Sequence, residues 1–284
     1  SFMVTFLWIR EFFVTTSPNK TSATLDTKAS SDGPFNDQSL LKIINIYSQA
    51  SSCNDCFVNV LIGQRPDITG GQPRWIGKHY FNETFSHEDY PRVLVLLHRP
   101  GQLGGRAKNF DHLKYDSLTR SMTDPDSWSQ LMELLDADSK HWGKYDAIYK
   151  DSMNLNEDFT AFMNIALCAG IESSDWDSIN RCFLKYTKPM LELFQPNILL
   201  LNGRMVQNFY EALSNSEESE HITSKNNIEK MLISKKNTSL YSDQNFFTGQ
   251  PIKVQSYAAR SGNVETKAYE LGREIKHLYS SESG

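Results

Sequence analysis

The side chains with chemistry to offer fall into two sets. The first is four cysteines, at positions 53, 56, 168 and 182. Cys53-Asn-Asp-Cys56 is a CxxC, and no convincing secretory signal precedes it; in an intracellular chain that spacing points to metal, cluster or redox chemistry rather than to a structural disulfide. A zinc site, a cluster, and a plain reading in which Cys168 and Cys182 are buried apolar side chains all stay open at this point.

The second set sits at the ends of apolar runs. Arg92–His98 (RVLVLLH), Phe162–Cys168 (FMNIALC) and Ile198–Asn202 (ILLLN) each read as a buried strand, and Pro251–Ser256 (PIKVQS) reads as a fourth strand. Ligands of such sheets bind outside the carboxyl ends of the strands. That rule gathers four segments: His98–Gly105, Asn164–Gly170, Asn202–Arg204 and Ser256–Arg260. They bring two asparagine amides, an imidazole, arginines, a phenol and exposed backbone N–H groups, a set suited to a planar polar ligand and phosphates. None of the four contains a carboxylate.

Helices must fill the intervals. Leu40, Ile43, Ile44 and Tyr47 recur at helical spacing behind Asp37 as a candidate N-cap, and this helix runs into the CxxC. Trp75–Tyr80 is expected as a short strand, and helices are expected over Trp128–Leu135 and Trp142–Tyr149. Ile179, Phe183, Tyr186, Met190 and Phe194 mark one helix face, with a kink expected at Pro189. Further faces are Met205, Val206, Phe209, Tyr210 and Leu213, then Ala268, Leu271, Ile275 and Leu278. Strands alternating with helices predict an α/β fold, a three-layer αβα sandwich around a four-stranded, mostly parallel sheet.

Residues 1–38 read as an apolar segment, docked as helix or strand or lying on a membrane surface, followed by a flexible polar linker; 39–284 read as a single domain. Ser214–Ser239 is expected as a surface excursion tacked down by Met231–Ile233. No apolar run approaches the length of a membrane span, so no stable membrane insertion is expected. A net charge of −5 argues against a protein that coats nucleic acid with its whole surface, yet allows a local basic cleft. Arg92, Arg99, Arg106 and Lys108 bracket the first loop, and Arg260, Lys267 and Arg273 follow the last. The turn Arg99–Gly105 lacks the GxGxxG and Walker spacings, so a nucleotide cofactor is not expected.

In order along the chain stand CxxC, an apolar strand ending in His98-Arg99-Pro100-Gly101, Asn164-Ile-x-x-Cys168, Cys182-Phe-Leu on a helix, and Pro196-x-Ile-x-x-Leu-x-Gly203. This ordered set resembles the uracil-DNA glycosylase superfamily, most closely its iron–sulfur, family 4-like branch. The resemblance covers about Cys53 to Tyr279. It implies a uracil-DNA glycosylase-like fold and a DNA N-glycosylase that hydrolyses the bond to a flipped uracil or other deaminated base in DNA repair. By the same resemblance Cys53, Cys56, Cys168 and Cys182 fall on the ligands of a 4Fe-4S cluster, with zinc or no metal as alternatives. Asn164 falls on the amide that pairs with the base edge, and Gly101, Asn202 and Arg260 join it as substrate-binding candidates. Tyr80 and Phe110 are the candidates for stacking on the base, with core packing as the plain reading of either.

The chain departs from the family where catalysis is expected. His98 and Arg99 stand where relatives carry a carboxylate or amide that positions water, and Ser256 or Tyr257 stands where they carry a histidine. Catalysis is therefore assigned to His98, Arg99, Ser256 and Tyr257, or else the chain is an inactive nucleic-acid-binding module that keeps the fold and cluster. The expected partner is DNA, single-stranded DNA included, met by a monomer inside the cell, in the cytoplasm.

Overall fold

In the computed structural model of this protein, residues 38–53, 55–56, 69–86, 88–100, 112–122, 125–137, 146–169, 175–214, 240–244, 251–257 and 263–280 are described. They all belong to one compact unit, Pro34–Gly284. The leader, the excursion after Ser214, and the candidates Gly101, Arg106, Lys108, Phe110 and Arg260 lie outside the described residues.

The centre is a sheet of four parallel strands. Val93–Leu97 (β2) is buried at all five positions, as a strand covered on both faces must be. Thr160–Asn164 (β3) pairs on one side of it and Ile198–Asn202 (β5) on the other, and Pro251–Tyr257 (β7) pairs with β5. A polar edge strand, Tyr241–Gln244 (β6), closes the sheet antiparallel to β7. The spatial order β3-β2-β5-β7-β6 puts the point where the winding reverses between β2 and β5.

The strands divide the core in two by simple alternation. Leu94, Leu96, Ala161, Met163, Leu199, Leu201 and Val254 face one core. That side is covered by Gln38–Ser51 (α1), His112–Ser121 (α2), Pro125–Ala137 (α3), a helix over 176–194 (α4) and Arg204–Ser214 (α5). Val93, Val95, Leu97, Phe162, Ile198 and Leu200 face the other, beneath Val264–Ser280 (α6) and a π-helical turn, Asp146–Ser152. The result is an α/β fold with helices on both sides of the sheet.

Several expectations change. The strand expected over Phe162–Cys168 ends at Asn164, because its neighbour β2 ends at Leu97; Cys168–Ala169 (β4) pairs instead with Thr69–Gly71 (β1) in a separate antiparallel ladder. Trp75–Tyr80 forms no strand. Only Ile76 bridges Ala161, with Phe162 N–H donating to the Trp75 carbonyl at 2.9 Å. Of the helix expected over Trp142–Tyr149, the described part is the π turn.

Around Pro189 the helix widens. Phe183–Thr187 is π-helical, with Lys188 N–H reaching back to the Phe183 carbonyl. A proline has no N–H to donate to the previous turn and its ring crowds that turn's carbonyl, so the wider turn ahead of it keeps α4 continuous. One close approach sets the position of the π turn at 146–152. A Cβ on Gly272 of α6 would stand 2.1 Å from the Met153 carbonyl oxygen, so only glycine lets the two backbones meet.

Candidate functional site

At the carboxyl ends of the parallel strands the register builds one transverse row. Asn164 pairs with Leu97, Asn202 pairs with Tyr257, and Leu97 and Asn202 lie one residue beyond the Leu96–Leu201 pair. All four positions share the sheet face of Phe162, Leu200 and Gln255, two residues back on their strands. At about 4.8 Å per strand, Asn164 and Tyr257 are about 14 Å apart across the sheet.

Asn164 is fully buried. Among the described residues neither its Oδ1 nor its Nδ2 has a hydrogen-bond partner. A buried carboxamide left bare is costly and rare, which makes Asn164 a candidate for a ligand contact. Its backbone is well held: the buried Thr187 hydroxyl, in the π segment of α4, donates to the carbonyls of Asn164 at 3.3 Å and Ile165 at 3.2 Å.

The far end of the row is a hydrogen-bonded cluster. Asn202 Nδ2 donates to the Tyr149 hydroxyl at 3.2 Å, and that hydroxyl is hydrogen-bonded to the hydroxyl of Tyr257. The Tyr149 ring also meets Phe162 edge-on, with centroids 5.1 Å apart. Gly203, at φ 94°, makes the turn out of β5 and donates its N–H to the Tyr257 carbonyl at 2.7 Å. Residues other than glycine rarely adopt that φ, so the turn beside Asn202 depends on it.

Tyr149 was invisible as a site residue in the sequence. It belongs to a short π turn whose spacing carries no amphipathic signature, and it reaches the row only through tertiary packing. Asn202, expected to bind ligand directly, directs its Nδ2 to Tyr149. Ser256 pairs with Leu201 and so faces the opposite side of the sheet from Tyr257. The row contains Tyr257 and not Ser256.

His98 and Arg99 follow β2 directly and are half-buried. The Nε2 of His98 is buried with no hydrogen-bond partner among the described residues. Burial, with the Arg99 guanidinium adding to it, pulls the imidazole pKa down to about 4. The ring is thus neutral at physiological pH, a hydrogen-bond acceptor but a weaker base than an ordinary imidazole. Tyr80, a stacking candidate from sequence, is buried against Phe81 and Phe194 in the main core and serves packing. Arg92 precedes β2 at the amino end, about 20 Å along the strand from His98 at 3.3 Å per residue, and does not bracket the first loop.

The four cysteines meet on the other side of the sheet. Cys53 and Cys56 follow α1, Cys168 lies in β4 and Cys182 in α4, and all four line one pocket with Asp55, Arg181, Lys185 and Tyr186. Arg181 Nη1 donates to the Asp55 carbonyl at 3.1 Å and Lys185 Nζ meets the Asp55 carboxylate at 2.6 Å, fastening the CxxC loop to α4. The hydrogen bond from Lys185 holds the Asp55 carboxyl below its usual range. Cys182 accepts the Leu167 N–H at 3.2 Å, and a hydrogen bond from Cys168 lowers the Cys182 thiol while that bond and burial raise Cys168.

Donor type and number fit a four-thiolate group. The spread does not yet: with Cys168 and Cys182 hydrogen-bonded to each other, no three His, Cys, Asp or Glu side chains among the described residues stand as they would around a metal ion. Among those residues, too, no helix is long and apolar enough to cross a membrane. No family model matches the sequence, and no curated protein matches it.

Proposed function

We propose that the protein is a DNA N-glycosylase of the uracil-DNA glycosylase type, which hydrolyses the glycosidic bond of a deaminated base flipped out of DNA. The observation that carries the reading is the buried, unpartnered amide of Asn164, set in one row with Asn202 and Tyr257 at the carboxyl ends of parallel strands. An amide offers a donor and an acceptor side by side, the complement of a pyrimidine's edge, and the cost of leaving both bare is recovered when the base arrives.

In this reading Asn164 selects the base. Neutral His98, its Nε2 without a partner, positions the attacking water and accepts its proton. Tyr257 donates a hydrogen bond to the base as negative charge builds on it, which is where the largest acceleration of such reactions arises. Cys53, Cys56, Cys168 and Cys182 would hold a 4Fe-4S cluster. Bound there, it would cross-link α1, β4 and α4, a structural role on the opposite side of the sheet from the row.

The assay is release of free base from single- and double-stranded oligonucleotides containing uracil, hypoxanthine or xanthine, with and without Asn164→Ala. Base release that depends on Asn164 supports the reading. A protein that produces no abasic product from any of them refutes it. A second reading, a binding module without catalysis, is favoured by one observation: no carboxylate occupies the four loops at the carboxyl ends. It predicts salt-sensitive DNA binding with every base left in place.

A further inference from the structure

We propose that Tyr149, which no motif in the sequence marks, is a positioning residue for this reaction, and that Asn202, Tyr149 and Tyr257 form a one-way donor relay aimed at the departing base. The inference rests on the glycosylase reading and specifies how its leaving group is handled.

The relay follows from what each group can do. The Asn202 Nδ2 can only donate, and it occupies a lone pair of the Tyr149 oxygen at 3.2 Å. The Tyr149 hydroxyl is hydrogen-bonded to that of Tyr257, and either could be the donor in isolation. An anion in front of Tyr257 removes the ambiguity. The Tyr257 O–H turns outward to the anion, its oxygen then needs a donor, and Tyr149 O–H is the group in place. Each hydrogen bond polarises the next, so the outward O–H becomes a better donor than a lone phenol in water.

Tyr149 is fixed for this task. Its ring is held edge-on by Phe162 and by Tyr257, with centroids 5.1 and 5.8 Å away, and it is buried at 4% exposure. Behind it, the contact between Gly272 and Met153 locks the π turn against α6. Tyr257, in contrast, is half-buried at the end of its strand, beside the open space over Gly203. A rigid buried phenol thus orients a more accessible one.

The chemical step balances without another reagent. The bond between C1′ and the base nitrogen breaks, with its electron pair staying on the base; a water oxygen bonds to C1′ and gives its proton to His98. The base leaves as an anion held by Tyr257 O–H and is neutralised by a proton from solvent, while His98 returns its own to solvent. Tyr257 touches the leaving group and is catalytic. Tyr149 and Asn202 act through it.

Full-length wild type, Tyr149→Phe, Tyr257→Phe and the double variant are compared on oligonucleotides carrying uracil and the more acidic 5-fluorouracil, with urea midpoints confirming that each folds. Tyr257→Phe is expected to lower kcat about 10²- to 10³-fold with KM little changed, the loss typical of one donor to a developing anion. Tyr149→Phe is expected to lower kcat about tenfold, and the double variant to match Tyr257→Phe alone. Both losses should shrink on 5-fluorouracil, whose anion needs less help. Independent, multiplying losses, or equal losses on the two bases, overturn the relay while leaving the glycosylase reading standing. No release by wild type overturns both. If Tyr149→Phe fails to fold, Asn202→Leu replaces it, with the same expected loss and the same refuting outcomes.

Discussion

Replacing Asn164 with alanine should make the protein more stable and less useful. The side chain is fully buried and neither amide atom has a hydrogen-bond partner among the described residues. Each bare buried polar group costs about 1–3 kcal/mol, so the pair costs about 2–6 kcal/mol. Truncation to alanine removes that cost and leaves a cavity of a few tens of Å3, which at about 24 cal/mol per Å3 takes back on the order of 1 kcal/mol. The net is a gain of about 1–5 kcal/mol. For a domain of this size, each kcal/mol raises Tm by about 2–4 °C. Urea denaturation and thermal scans of wild type and variant, without DNA, measure it. Base release should fall about ten- to a hundredfold in the same variant, the worth of one bidentate amide-to-base contact. A variant less stable than wild type by 1 kcal/mol or more would refute the reasoning, because Asn164 would then be holding the strands together rather than waiting for a ligand.

Three further outcomes are expected. His98 has a folded pKa near 4, against about 6.5 unfolded, so its neutral form favours the native state: the contribution is full above pH 6.5 and is lost as pH falls toward 4, at most about 3 kcal/mol in all. Urea midpoints at pH 7 and pH 4.5 should differ less in His98→Gln than in wild type, and base release should hold level from pH 6 to 8. Cys182→Ser should sharply lower the iron content and the broad visible absorbance of anaerobically purified protein, which elemental analysis and spectroscopy read directly. Gly272→Ala would press a Cβ against the Met153 backbone, which cannot give as a side chain would; a loss of about 1–3 kcal/mol in urea denaturation is expected, together with slower base release as the turn carrying Tyr149 is displaced.

The parallel strands were legible in the sequence because they are buried on both faces. VLVLL and ILLL carry that burial as unbroken apolar runs, PIKVQS shows it only at Ile252 and Val254, and α1, α4, α5 and α6 show it as stripes at helical spacing. Burial alone marks no strand end, however. Asn164 and Cys168 fall in one apolar run, and only the partners available, Leu97 on one side and Gly71 on the other, divide it into two strands of different sheets. Polar edge elements left no signal: β6 reads Tyr-Ser-Asp-Gln, and α2 has few apolar positions. The site was half visible. Residue type and position after a strand singled out Asn164, Asn202 and Tyr257. The register that aligns them in a row, the face that separates Ser256 from Tyr257, and the arrival of Tyr149 from a π turn are products of the assembled sheet.

Thr187 gives α4 a second office. The helix that carries Cys182 also donates, five residues on, to the carbonyls of Asn164 and Ile165, while Cys168 lies four residues beyond Asn164 along the chain, in β4. The cysteine pocket and the Asn164 amide are therefore tied by two short covalent paths and one buried hydroxyl. Substitutions at the two sites should not add: the energetic penalty of a change at Cys182 will depend on whether Asn164 is present, and the reverse by the same amount. If the protein is the glycosylase proposed above, a lesion in the pocket would be felt first as blurred selectivity between bases, before the fold itself gave way.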